Sequence, residues 1–151
     1  RYLHLGVPGH GFVIAIPIKS VGGGKAVAYM NGDTKNAKYT PAINYDYELI
    51  VAISNEGSTD MVMNAARAAG ARGGTVLHGK GTGSKDAPKF YNISIADEKE
   101  VILIVSTAGQ KAGIMRAILE KAGPDSKAGS IVFSIPTTEV AGFGVLDSSE
   151  T

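Results

Sequence analysis

The chain has no cysteine among its 151 residues. That excludes disulfides, thiolate metal sites and cysteine nucleophiles together, and it fits a cytoplasmic protein. Charge of one sign is also lacking. Fifteen Lys and Arg against 14 Asp and Glu leave a net +1. Nucleic-acid binding needs clustered excess cations, so no such partner is expected. Lys80, Lys85 and Lys89 lie close together, yet a short charged loop reads first as solvated. Long apolar runs are missing as well. The longest, Val101-Ile102-Leu103-Ile104-Val105, has the length of a strand and is far short of a membrane span. No signal-peptide pattern is legible, and Arg1 stands where an initiator Met is usual, which reads as a fragment or a processed product. Histidine is sparse: His4, His10 and His78 are not spaced as metal ligands. No nucleophile with a base and no paired carboxylates stand out, so no catalytic residue is assigned.

What is present suits a packed domain. Hydrophobic residues make up 44% and charged residues 19%, ordinary globular usage. Tyr47 to Ile53 is a short β-rich run that predicts a buried strand. Ser58 follows as a candidate N-cap with Asp60 in the first turn. Val62, Ala65, Ala66 and Ala69 then trace one helical face, and Gly70 supplies the stop. Gly74 to Gly79 predicts a second strand, followed by a polar loop from Lys80 to Lys89. Phe90 to Ile95 alternates Tyr91, Ile93 and Ile95. Asp97, Glu98 and Glu100 read as a solvated acidic turn leading into the strongest strand, Glu100 to Val105. Ser106 to Gly109 reads as a turn. A second helix carries Ile114, Ala117, Ile118 and Lys121 on its stripe, with Leu119 and Ala122 beside it, and Gly123-Pro124 ends it. The last strand, Ser130 to Ile135, places Ile131, Phe133 and Ile135 on one face.

The order β-α-β-β-α-β predicts an α+β, ferredoxin-like sandwich: a four-stranded antiparallel sheet with two helices on one face. Extra N-terminal strands are expected because His10 to Gly23 aligns without gaps to Gly129 to Gly142, with Val13/Val132, Ile16/Ile135, Pro17/Pro136, Val21/Val140 and Gly23/Gly142 identical. An internal repeat is the direct reading; coincidence between two amphipathic strands is the other. On the repeat reading, residues 1–30 are the remnant last strand of a first copy, with Lys25 to Met30 a further strand. Residues 31–46 are then a linker, 47–142 a complete domain and 143–151 a tail. Topology of this kind says nothing about function.

Function enters through a resemblance. Ala65-Ala66-Arg67-Ala68-Ala69-Gly70-Ala71-Arg72-Gly73-Gly74-Thr75-Val76 resembles the first helix, glycine turn and second strand of the PII nitrogen-regulatory family. Lys80-Gly81-Thr82-Gly83 is similar to that family's Lys-Gly-x-Gly at the base of a flexible loop, and Gly129 to Val140 to its final strand. The resemblance covers residues 47–142. It implies a homotrimer with inward-facing sheets, ligand in clefts between subunits, and regulation of a partner enzyme or transporter. The site it implies comprises Thr75, Lys80, Gly81, Thr82, Gly83, Ser84 and Lys85 with Lys127, Gly129 and Ser130, taking ATP, ADP or AMP. Chemistry agrees in part, since glycines at 79, 81 and 83 would let backbone N–H groups form an anion nest, with lysine charge and threonine hydroxyls added. A Walker loop is absent, and a plain glycine-rich hairpin connection is the alternative for these residues. The family's second loop, Thr-Gly-x-x-Gly-Asp-Gly-Lys, is replaced by Gly123-Pro124-Asp125-Ser126-Lys127-Ala128-Gly129-Ser130, and its two arginines after the last strand have no counterpart. Those departures point away from a triphosphate and towards AMP, ADP, a cyclic nucleotide, bicarbonate or no ligand at all. The alternatives to a PII-like sensor are a CutA-type trimeric metal binder and a purely structural interaction protein.

Overall fold

The two longest strands carry continuous apolar runs, residues 49–53 and 101–105, whose successive side chains go to opposite faces of the sheet. The structure is a computed structural model and describes residues 11–18, 42–82, 89–90, 93–94 and 97–142. Its elements are β1 (Val13–Ala15), β2 (Asn44–Asn55), α1 (Thr59–Ala68), β3 (Thr75–Gly81), β4 (Lys89–Phe90) and β5 (Ile93–Ser94). They continue with β6 (Asp97–Thr107), α2 (Ala108–Ala122), β7 (Ile131–Thr137) and β8 (Glu139–Ala141). β3, β6, β2 and β7 form a four-stranded antiparallel sheet in that order. Each helical crossover skips one strand: β2 reaches β3 past β6, and β6 reaches β7 past β2. This is the interleaved βαβ arrangement of the ferredoxin-like fold. β4 and β5 pair as a separate small hairpin, so the expected strand over Phe90 to Ile95 is two shorter ones.

The chain divides into two compact units, one of Tyr45–Ile135 and one of Arg1–Asn44 with Pro136–Thr151. In the second, β1 pairs antiparallel with β8, Ile14 opposite Val140, and Thr138 donates its backbone N–H to the Ala15 carbonyl at 3.0 Å. Lys25 to Met30, the proposed further strand, lies outside the described residues.

In the larger unit the core lies between the sheet and both helices. Ile50 and Ala52 of β2, Ile102 and Ile104 of β6, Val62, Met63 and Ala66 of α1, and Ile114, Ile118 and Ala122 of α2 pack as one cluster. The α2 stripe therefore runs through Ile114, Ile118 and Ala122. Lys121 and Leu119 are exposed, so the buried line departs from the expected route through Lys121. α1 ends as its sequence predicts. Gly70 takes φ +104°, and its N–H and that of Ala71 reach back to the carbonyls of Arg67 and Ala66 at 3.0 Å. Those two bonds are a Schellman close. At the end of α2, a Cβ on Gly123 would lie 2.2 Å from the Leu119 carbonyl oxygen, so only glycine fits.

Two expectations are corrected at the start of α1. Ser58 occupies the N-cap, but its side chain makes no capping bond. The cap comes from Glu100, which is in β6 and not in a solvated turn. Its carboxylate accepts from the Gly57 and Ser58 N–H groups at 3.0 and 3.1 Å and from the Thr59 hydroxyl at 2.7 Å. Glu100 is only 6% exposed. β6 starts at Asp97 because Asp97 and Glu98 pair with Gly81 and Lys80 of β3, an extension that depends on a partner distant in sequence.

The Thr59 hydroxyl, opposed in part by burial and assisted by the backbone N–H groups, holds the Glu100 carboxyl below its ordinary value of 4.5. A depressed folded value stabilises the protein above that ordinary value and ceases to do so as pH falls through the folded one. Glu100→Gln is therefore expected to lower stability at pH 7 by about 1–3 kcal/mol, the range for a hydrogen-bonded charge. Urea unfolding should show the gap between variant and wild type closing as pH drops below 4.5. A gap that stays constant across that window would contradict the assignment.

Candidate functional site

The end of the sheet at which β2 and β3 finish is also where β6 and β7 begin, so sequence-distant segments converge there. β2 ends at Asn55. Its backbone N–H donates to the Ala128 carbonyl at 2.8 Å, and its side-chain Nδ2 donates to the Lys127 carbonyl at 3.1 Å. One residue thus fastens the loop between α2 and β7 to the sheet. The loop is also closed internally: Ser126 Oγ donates to the Gly123 carbonyl at 2.7 Å, and the Ala128 N–H donates to Ser126 Oγ at 3.2 Å. Gly129 has φ +55° and packs so that a Cβ would stand 3.2 Å from Asn55 Nδ2.

Asn55 Oδ1 faces the other way and accepts from Lys99 Nζ at 2.5 Å. Lys99 sits in β6 directly between Asn55 on β2 and Gly79 on β3. Its stem passes close to Gly81, where a Cβ would lie 3.1 Å from Lys99 Cε. Through Asn55 and Lys99, the glycine end of β3 and the Lys127 loop become parts of one surface. Sequence reasoning missed both residues. For Lys99 the available signal was its alternation with Val101 and Leu103 on one face of a strand.

The sequence-predicted residues fall as follows. Lys80 is exposed on β3, and its ammonium lies 3.5 Å from the Glu98 carboxylate. Gly81 is the last residue of β3 and Thr82 follows it, exposed. The strand runs two residues beyond the expected Gly79 end, so Gly79 and Gly81 are strand residues paired with Lys99 and Asp97. Neither has a positive φ, so these two do not turn into an anion nest; they leave a bare strand beside Lys99. Gly83, Ser84 and Lys85 lie outside the described residues. Lys127 is exposed, while Ser130 is fully buried, its hydroxyl 2.6 Å from that of Ser54. Thr75 opens β3 at the opposite end, about 20 Å along the strand from Gly81. Among the described residues no group of three or more His, Asp or Glu is placed to hold a metal ion. No helix among them is long and apolar enough to cross a membrane.

The split βαβ order, with both helices packed against a four-stranded antiparallel sheet, defines the class of a small ferredoxin-like domain. The model of the nitrogen regulatory protein P-II family matches residues 47–143, and the chain belongs to that family, whose members are regulatory signalling proteins. No curated protein matches the chain. Among solved structures, it is similar to the Arabidopsis thaliana PII protein bound to citrate. That match has 20% identity, covers 62% of this chain and 76% of the other, and has a TM-score of 0.48. A putative PII-like signaling protein of Thermus thermophilus is similar at 13% identity over 60% of this chain and 84% of the other, with a TM-score of 0.46.

The Ser54–Ser130 pair holds the start of β7 against β2 in a dry setting. Removing one hydroxyl leaves the other without a partner, and removing both does not. Ser130→Ala should cost about 1–2 kcal/mol in chemical denaturation, and Ser54→Ala with Ser130→Ala less than the sum of the two singles. Strict additivity would show that the two hydroxyls do not depend on each other.

Proposed function

We propose that this protein is a PII-like sensor that binds an adenine nucleotide carrying one or two phosphates at the Asn55 end of the sheet and regulates a partner enzyme or transporter. The observation that carries the reading is the double hold of Asn55, which joins the Lys127 loop to Lys99 beside the bare glycine end of β3. Membership of a regulatory family supports signalling over catalysis. Charge supports a mono- or diphosphate. Lys80 already faces Glu98, and exposed Asp125 stands in the same loop as Lys127, which leaves little positive charge to offset a triphosphate. In this reading Lys80, Gly81 and Thr82 form one wall and Lys127 with Gly129 the other, and Gly83, Ser84 and Lys85, outside the described residues, are further ligand-binding residues. Ser130 serves by holding β7 in place. Thr75, at the far end of β3, reaches ligand only from a neighbouring copy.

The second face of the sheet supports assembly as a homotrimer. Leu77 on β3 and Ile131 and Phe133 on β7 lie on the side away from the helices and are 50%, 55% and 42% exposed. Apolar edges of this kind, on the face that carries Val101 and Leu103 between them, fit burial against copies of the same sheet. A role in nitrogen metabolism and a cytoplasmic setting complete the reading.

Calorimetry with ATP, ADP, AMP, a cyclic nucleotide and bicarbonate tests the ligand. At least one adenine nucleotide should bind, and Lys80→Ala with Lys127→Ala should weaken it about tenfold, the loss expected for charge-assisted contacts. Uptake of none of them would remove the nucleotide reading, and hydrolysis at enzyme-like turnover would overturn the regulatory one. Light scattering tests assembly: the expected mass is three times the 15.6 kDa chain, falling to that of a single chain in Ile131→Glu with Phe133→Glu. A wild type that runs as a monomer would contradict the trimer.

A further inference from the structure

We infer that β1 is an internal stand-in for β7, and that β8 is an exchange surface whose alternative occupant is β7 of a second copy of this chain. Strand exchange of this kind needs no ligand and stands apart from the nucleotide reading.

The gap-free alignment of residues 10–23 with 129–142 places Val13, Ile14, Ala15, Ile16 and Pro17 on Val132, Phe133, Ser134, Ile135 and Pro136. β1 is thus a strand of the β7 type, and its partner is β8. Val13 lies opposite Ala141, Ile14 opposite Val140 and Ala15 opposite Glu139. The same register carried to β7 sets Val132 opposite Ala141, Phe133 opposite Val140 and Ser134 opposite Glu139. Phe133 in place of Ile14 enlarges the apolar cross-strand contact with Val140. β7 has an edge to offer. It ends the sheet order β3-β6-β2-β7, so among the described residues the side of residues 131–135 away from β2 has no neighbouring strand. Unpaired backbone groups along such an edge are a template for one more strand. Within one chain only Thr138 separates β7 from β8, too little for the two to pair in this register. The β7 that meets β8 therefore belongs to a second copy.

β1 is weakly held. It is 3 residues long, whereas the register of β2 on β6 runs from Tyr47 to Asn55. Val13 and Ile18 remain 54% and 74% exposed, and a two-stranded ribbon is marginal by itself. What favours β1 is its tether, since a strand on the same chain meets β8 at a high effective concentration. Loosening β1 hands β8 to β7 of another copy, and exchange of equivalent strands is a low-cost route to larger assemblies. β1 thus limits how many copies join.

The test uses the full chain without ligand, and the lack of native cysteine makes an introduced pair unambiguous. Ile14→Pro removes a backbone donor from the middle of β1. By light scattering it should at least double the mass of wild type at equal concentration, whether wild type is one chain or three. Adding Val140→Pro should return the mass to the wild-type value, because β8 then pairs with neither strand; aggregation of a misfolded chain would not reverse in this way. Phe133→Cys with Val140→Cys should oxidise to covalently linked chains in the Ile14→Pro background and stay as single chains with Ile14 intact. Wild-type mass in Ile14→Pro, with no linked chains, overturns the inference. Growth in mass without the link overturns β7 as the occupant, and equal linking with Ile14 intact overturns β1 as its stand-in.

Discussion

Pairing of β6 on both flanks is the constraint on which the rest of the molecule depends. A strand hydrogen-bonded to β2 on one side and β3 on the other cannot slip by one residue without exchanging its two faces. The register therefore assigns every β6 side chain at once. Ile102 and Ile104 go to the helices and the core, with Glu100 beside them as the cap of α1. Lys99, Val101 and Leu103 go to the opposite face. The same pairing that builds the core thus sets Lys99 between Asn55 and Gly79, and the site is a by-product of the sheet register.

Much of the fold was legible because its signals are local. The period of α1, its Gly70 stop and the apolar run at 101–105 each follow from a few neighbouring residues, and the split βαβ order follows from them. Errors arose where a distant partner decides. Asp97, Glu98 and Glu100 look like a solvated turn when read alone, yet β3 pairs with them and draws Glu100 under α1. Ser58 has the chemistry of a cap and the right position, but a carboxylate from another strand supplies the bonds.

The candidate site was legible in the same uneven way. Glycines at 79 and 81 and the lysines at 80 and 127 mark two segments whose composition is unusual, so both stood out as candidates. Asn55 and Lys99 carry no such mark. A lone Asn at a strand end and a Lys among acids are ordinary, and their value comes from a cross-strand pairing between residues 44 positions apart in sequence. Ser130 shows the converse: its position in the loop suggested ligand contact, whereas its hydroxyl is buried against Ser54 and steadies β7.

The central claim is that one end of one sheet is where this protein meets its effector. Two-dimensional amide NMR of the labelled protein titrated with ADP addresses it directly, because every described segment reports separately. The account predicts that the largest shifts cluster at Asn55, Gly79–Gly81, Lys99 and residues 126–130. Shifts confined to β1 and β8, or to the exposed sides of the helices, would contradict it.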